Sequence, residues 1–117
     1  MGVTIFNKKR LLDPDTVRYM DQLTVGPSLF YMKVYDELVQ GLKVDGNWGL
    51  LDRLWLHAQP AGIQQGSRVS LVNAGSTQIT EVNSPAWTEN QGYTFNGTTN
   101  YLDTNFNAST GVNVLQN

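Results

Sequence analysis

The chain contains no cysteine in its 117 residues. That absence excludes a disulfide scaffold, a thiolate metal centre and a cysteine nucleophile. Charge is sparse: eight Lys/Arg against ten Asp/Glu leave a net charge of -2, with a pI near 5.1. Without a basic footprint, nucleic acid is not an expected partner. No apolar run approaches the roughly 20 residues of a membrane helix, so no membrane partner is expected either. Histidine occurs once, at His57, with no second histidine one helical turn away and no carboxylate beside it in a ligand spacing. No metal and no other cofactor is therefore expected. Neither a GxxxxGK(S/T) nor a GxGxxG phosphate loop is present, and there is no G-x-S-x-G elbow for a serine nucleophile. The N-terminal MGVTIFNKKR lacks a long apolar segment, and Phe6 stands where a myristoylation signal needs Ser or Thr. Synthesis in the cytoplasm without conventional export is expected.

What is present divides into two unlike halves. Residues 1–59 carry seven of the eight basic and seven of the ten acidic side chains, whereas residues 60–117 hold only Arg68, Glu81, Glu89 and Asp103 among many Asn, Thr, Ser and Gly. The pattern predicts an α+β chain: helices first, then a small antiparallel β segment. Asp13-Pro14-Asp15 is a helix start, with a cap, a first-turn proline and an acid at the positive end of the dipole. Val17, Met20 and Leu23 share a face behind it. Ser28 caps a second helix in which Tyr31, Val34, Tyr35, Leu38, Val39 and Leu42 recur at spacings of three and four. Asp45-Gly46 closes that helix. Asn47 can cap a third, WGLLDRLWLHA, with Trp48, Leu51, Leu54 and Trp55 on one face and Pro60 as its stop. The reading is a short helix followed by a helical hairpin. Such stripes serve either a core or a docking surface. Three short helices bury little alone, which points toward a partner chain. Tyr31, Tyr35, Leu38, Trp48, Leu51 and Trp55 are the expected interface anchors.

The second half reads as three or four short strands between turn signals: Val69 and Leu71 alternate, as do Ile79 and Val82 less cleanly. Ser84-Pro85, Asn90-Gln91-Gly92 and Asn96-Gly97 are the punctuation, the last as a tight hairpin turn. Tyr93 and Phe95 share a strand face, and Tyr101-Leu102 begins a further strand. The acids Glu81, Glu89 and Asp103 are the only pair-forming candidates for glycosidase chemistry, which needs two carboxylates across one cleft. Solvated strand and turn positions are the simpler reading, and no enzyme activity is expected. Trp87, Tyr93 and Tyr101 are candidate glycan contacts on a neutral Asn/Thr-rich surface. The sequons at Asn96 and Asn107 are expected to be chance matches in so Asn-rich a sequence. A segment this short with one apolar face needs covering by the helices, by other subunits or by further chain; further chain is the favoured expectation.

The order of motifs resembles a family of tailed-bacteriophage virion proteins. It carries a Leu-Asp-Pro-Asp start, then Trp48-Gly49-Leu50-Leu51-Asp52-Arg53-Leu54-Trp55, then Ser70-Leu71-Val72-Asn73, Glu81-Val82-Asn83-Ser84-Pro85 and Asn96-Gly97-Thr98-Thr99-Asn100-Tyr101-Leu102-Asp103-Thr104. The last piece resembles the opening strands of a concanavalin A-like (laminin-G-like) jelly roll. The resemblance covers about residues 11–110. It implies a structural component of a phage virion, the N-terminal anchoring part of a fibre, spike or head/tail decoration protein. On that reading residues 1–59 are a helical anchoring and assembly module and residues 60–117 begin a larger jelly-roll domain. The implied partners are capsid, portal or tail proteins and further copies of the chain, in a threefold homo-oligomer as fibres of this kind commonly are. A host-glycan-binding module of a receptor-binding protein is the alternative.

Overall fold

The structure, a computed structural model, describes residues 12–111. The N-terminal stretch read for export and acylation signals lies outside the described residues. The chain has an α+β fold. Helix α1 runs Pro14–Asp21 and helix α2 runs Leu29–Val44. Four three-residue strands follow: β1 Thr80–Val82, β2 Ala86–Thr88, β3 Gly92–Thr94 and β4 Tyr101–Asp103.

Both helix starts form as their residues dictate. The Asp13 side chain accepts the Asp15 N–H at 2.9 Å and Pro14 follows, where no donor is missed. Ser28 accepts the Tyr31 N–H at the start of α2, and Gly46, at φ +77°, turns the chain away just past the end of that helix. The helices are tied by Asp36, which is 8 % exposed on α2 and accepts both the Asp13 N–H and the Thr16 hydroxyl through Oδ1. Lys43 closes the other side by pairing with Asp13 and Asp15, each at 2.7 Å. Burial, the largest single influence, disfavours these charges. The mutual hydrogen bonds and charges outweigh it, holding the Asp13 carboxyl below its ordinary range and the Lys43 ammonium above its own. The inward face of α1 differs from the sequence expectation by about one residue. Thr16 and Tyr19 are buried, while Val17 and Met20 are only half-buried.

The third helix expected over WGLLDRLWLHA does not form. Trp48–Leu50 makes a single 3₁₀ turn, Asn47 supplies no side-chain cap, and Leu51 is already extended. Beyond it the chain runs beside residues 70–71: Trp55 bridges Ser70 antiparallel, and the Leu71 N–H donates to the Leu54 carbonyl at 2.8 Å. Leu54 and Leu56 thereby pack onto the core at a period of two, not 3.6. A weakly capped segment interrupted by Gly49 gains more from this packing than from helical hydrogen bonds, an override of local propensity by tertiary contact. The helical pair in this fold is α1 with α2, not the expected hairpin of the second and third helices.

The core consists of Tyr19, Tyr35, Val39, Val69, Leu71 and Ala74, with Met20, Leu23, Tyr31, Leu38, Trp48, Leu54 and Leu56 packed around it. The helical face is covered by the irregular segment 54–74, so one core straddles the 59/60 boundary. Within it runs a closed polar chain. Tyr35 Oη donates to Gln59 Oε1 at 2.6 Å, Gln59 Nε2 donates to Tyr19 Oη at 2.9 Å, and Tyr19 Oη donates to the Gly66 carbonyl at 2.9 Å.

The strands form two separate ribbons, one nested in the other. β2 pairs with β3 (Trp87 opposite Tyr93), and β1 pairs with β4 (Glu81 opposite Leu102), both antiparallel. The hairpin turn is therefore Asn90-Gln91-Gly92, with positive φ at Asn90 and Gly92. Asn96-Gly97 does not join paired strands, because β3 and β4 belong to different ribbons. It starts a loop folded around one side chain: Asn96 Oδ1 accepts the N–H groups of Thr98, Thr99 and Asn100. Val69 and Leu71 are both buried, but only the Trp55–Ser70 bridge pairs their segment, so it is not one of the strands.

Candidate functional site

Two surfaces concentrate the residues singled out by sequence. The first surrounds the turn after α2. Trp48, Gly49, Leu51, Asp52, Arg53, Val72 and Asn73 line an open groove of about 270 Å³. Its walls come from the 3₁₀ turn on one side and the 72–73 bend on the other, held together by the Leu54–Leu71 backbone bond. On the first of these walls Lys43 stands 5.4 Å from the Trp48 ring centroid and Arg53 stands 5.0 Å from that of Phe106, both cation–π contacts. Leu50 and Val44 project beside the groove, 68 % and 85 % exposed.

Of the six expected anchors, Trp48 and Leu51 meet in this groove. Tyr35 is 3 % exposed and belongs to the core, edge-on to Tyr19 at 5.2 Å. Tyr31 and Leu38 are half-buried against that core. Trp55 is half-buried on the extended segment, and its indole N–H has no hydrogen-bond partner among the described residues. The exposed apolar residues are instead Val25, Leu29, Phe30, Val34, Val44 and Leu50, with Phe95 and Tyr101 in the β half. Of these, Val34 and Phe95 had been named as face residues from the sequence, and Tyr101 as a candidate glycan contact. The available signal was the run Leu29-Phe30-Tyr31-Met32, which is apolar on every side of a helix and so cannot be buried by one core face.

The second surface joins the β2–β3 hairpin to the body. Trp87 Nε1 donates to the His57 carbonyl at 2.9 Å, and the Tyr93 ring meets the His57 ring edge-on at 5.5 Å. Gly92 sits where a Cβ would be 3.4 Å from His57 Cβ. His57 Nδ1 donates to the Ser67 carbonyl at 3.0 Å. Tyr93 Oη donates to Glu81 Oε2 at 2.6 Å, Gln64 Nε2 donates to the same oxygen at 3.1 Å, and Arg68 pairs with Oε1 at 3.1 Å. Burial opposes ionisation of Glu81, but the hydrogen bonds from Tyr93 and Gln64 and the charge of Arg68 outweigh it and hold the carboxyl below its ordinary range. For Tyr93, burial and the neighbouring carboxylate raise the phenol. A carboxyl held toward its ionised form, with both oxygens bonded, is a fastening and a poor proton donor.

The polar atoms of Trp87 and Tyr93 are thus engaged within the chain. Tyr101 is 55 % exposed on β4, and Phe95 stacks on Tyr93 at 6.1 Å with its outer side open. Glu81 and Asp103 lie on opposite faces of the β1–β4 ribbon, since Glu81 pairs with Leu102 and Asp103 with Thr80. Asp103 accepts the Asn105 N–H, and Glu89 stands exposed at the hairpin end. Among the described residues no group of three or more His, Asp or Glu could hold a metal ion, and no helix is long and apolar enough to cross a membrane.

No protein-family model, curated protein or solved structure matches the chain.

Proposed function

We propose that the chain is a non-enzymatic structural component of a phage virion, the anchoring part of a fibre or head/tail decoration protein, acting through protein–protein assembly. The phage assignment rests on the order of sequence motifs. The assembly role rests on one structural observation: among the described residues, six of the eight exposed large apolar side chains lie between Val25 and Leu50, four of them on α2. Exposed apolar side chains along α2, and a separate open groove lined by Trp48 and Leu51, suit burial against another protein. Capsid, portal or tail proteins are the partners for the groove. In the β half, by contrast, Glu81, Tyr93, Gln64 and Arg68 are bonded to one another.

The test mixes the chain with candidate capsid, portal and tail proteins and follows mass by light scattering. A complex should form, and Leu50→Asp should weaken it about tenfold or more, because Leu50 is 68 % exposed and its replacement leaves the core untouched. Absence of a complex with any virion protein, or a complex indifferent to Leu50→Asp and Trp48→Ala, would refute the reading. The glycan-binding alternative is favoured by the open faces of Phe95 and Tyr101. It requires glycan-array binding that Tyr101→Ala abolishes.

A further inference from the structure

The solvent face of α2 carries a pattern that the described residues of one chain do not use. Phe30, Val34, Glu37, Gly41 and Val44 are all exposed and recur at spacings of four and three. They occupy one stripe about 80° wide, directly opposite the buried Tyr35 and Val39. Lys33 and Gln40 flank the stripe. Gly41 sits in mid-helix, where glycine is unfavourable, yet a Cβ placed there would meet nothing within 4 Å. The chain's own packing therefore gives no reason for a glycine at this position. Lys33 and Glu37 form no ion pair among the described residues.

We infer that α2 docks antiparallel on α2 of a second copy, about a two-fold axis crossing the helix near Tyr35 and Asp36. Two independent complementarities share that centre. The bulky Phe30 and the bare Gly41 are equidistant from it, so each phenyl ring lies over the glycine of the other copy. Lys33 and Glu37 have their midpoint at Tyr35, within about 1 Å along the axis, so each ammonium faces the other copy's carboxylate. Val34 packs beside the centre, next to its symmetry mate. A surface patch whose bulk and charge are both matched by its own inversion is what an isologous contact requires, and an unrelated partner would not need both matches. The bare Gly41 leaves room for the partner's Phe30 ring, so the helices can pack within the usual 8–10 Å range.

The inference rests on the assembly role proposed above and puts a twofold contact in place of the threefold homo-oligomer that the resemblance implies. It is tested on the chain alone, so its failure is separate from failure of the groove to bind virion proteins. Sedimentation equilibrium over a wide concentration range should show mass rising from 13.0 kDa to twice that value. Glu37→Lys should weaken association about tenfold or more, Lys33→Glu with Glu37→Lys should restore it, and Gly41→Leu should abolish it while helix content by circular dichroism is kept. A chain that stays monomeric or forms trimers would overturn the inference. So would a dimer that Glu37→Lys and Gly41→Leu leave unchanged.

Discussion

Replacing Gln59 by leucine probes the polar chain at the centre of the core. Gln59 is fully buried, and its amide serves three partners: it accepts from Tyr35 Oη at 2.6 Å and donates to Tyr19 Oη and to the Leu56 carbonyl at 2.9 Å each. Leucine fills nearly the same volume, so cavity formation contributes little. The loss is electrostatic. The Tyr35 hydroxyl, on a residue 3 % exposed, is left without its acceptor, at a cost of about 1–3 kcal/mol. The Leu56 carbonyl loses its Gln59 donor, while Tyr19 keeps the Gly66 carbonyl and loses only one bond. The total is about 3 kcal/mol, a large part of the roughly 5–15 kcal/mol of a typical domain. Tyr35→Phe alone should cost about 1–2 kcal/mol by stranding Gln59 Oε1. The double variant removes both ends of the same bond, so it should be more stable than the sum of the single losses by about 1–2 kcal/mol. Urea denaturation with linear extrapolation measures each value, provided the slope is unchanged. Strict additivity, or a Gln59→Leu variant within about 0.5 kcal/mol of the parent, would show that this network does not hold the helices to the 54–74 segment.

Alkaline pH should weaken the same region. Burial, reinforced by the neighbouring Tyr31, pushes the Tyr35 phenol from 10.0 up to about 12, and burial together with Tyr35 pushes Tyr19 higher still. Folded pKa values above the unfolded ones mean that the contribution is fully present below about pH 10 and is lost as pH rises through about 12; denaturation midpoints measured across that window should fall, and Tyr35→Phe should flatten the fall. Two glycines should respond oppositely to alanine in thermal unfolding. At Gly66 a Cβ would stand 3.0 Å from Ile63 Cγ2 and Leu23 Cδ2 and 3.1 Å from the pinned Tyr19 hydroxyl, so Gly66→Ala should destabilise by about 1–3 kcal/mol. Gly41→Ala meets nothing within 4 Å and should stabilise the isolated chain by about 0.5–1 kcal/mol.

The legible parts of the sequence were those decided by neighbours in the chain. Asp13-Pro14-Asp15 and Ser28 start helices because caps and first-turn residues act within three or four positions, and Asp45-Gly46 ends one for the same reason. The charge-poor, turn-rich second half reads as short strands, and four form. Composition alone places helices before strands. The groove was half-legible, since Trp48 and Leu51 were marked by their size, whereas its opposite wall at Val72 and Asn73 depends on contacts far along the chain.

What only the tertiary structure decided follows from contacts of long sequence separation. WLHA and its flanks are apolar at both helical and strand spacings. The Leu71 amide, which takes the Leu54 carbonyl, settles the choice for extended chain. Asn96-Gly97 has the local chemistry of a hairpin turn, but pairing of β2 with β3 and of β1 with β4 makes it a connection between ribbons. Tyr19 gave no periodic signal and became the most buried aromatic because Gly66 and Gln59 supply its hydroxyl with partners 47 and 40 residues away. Local grammar sets where elements begin and end. Which faces meet is set by packing and by the pairing of buried polar groups, and no window of neighbouring residues contains those partners.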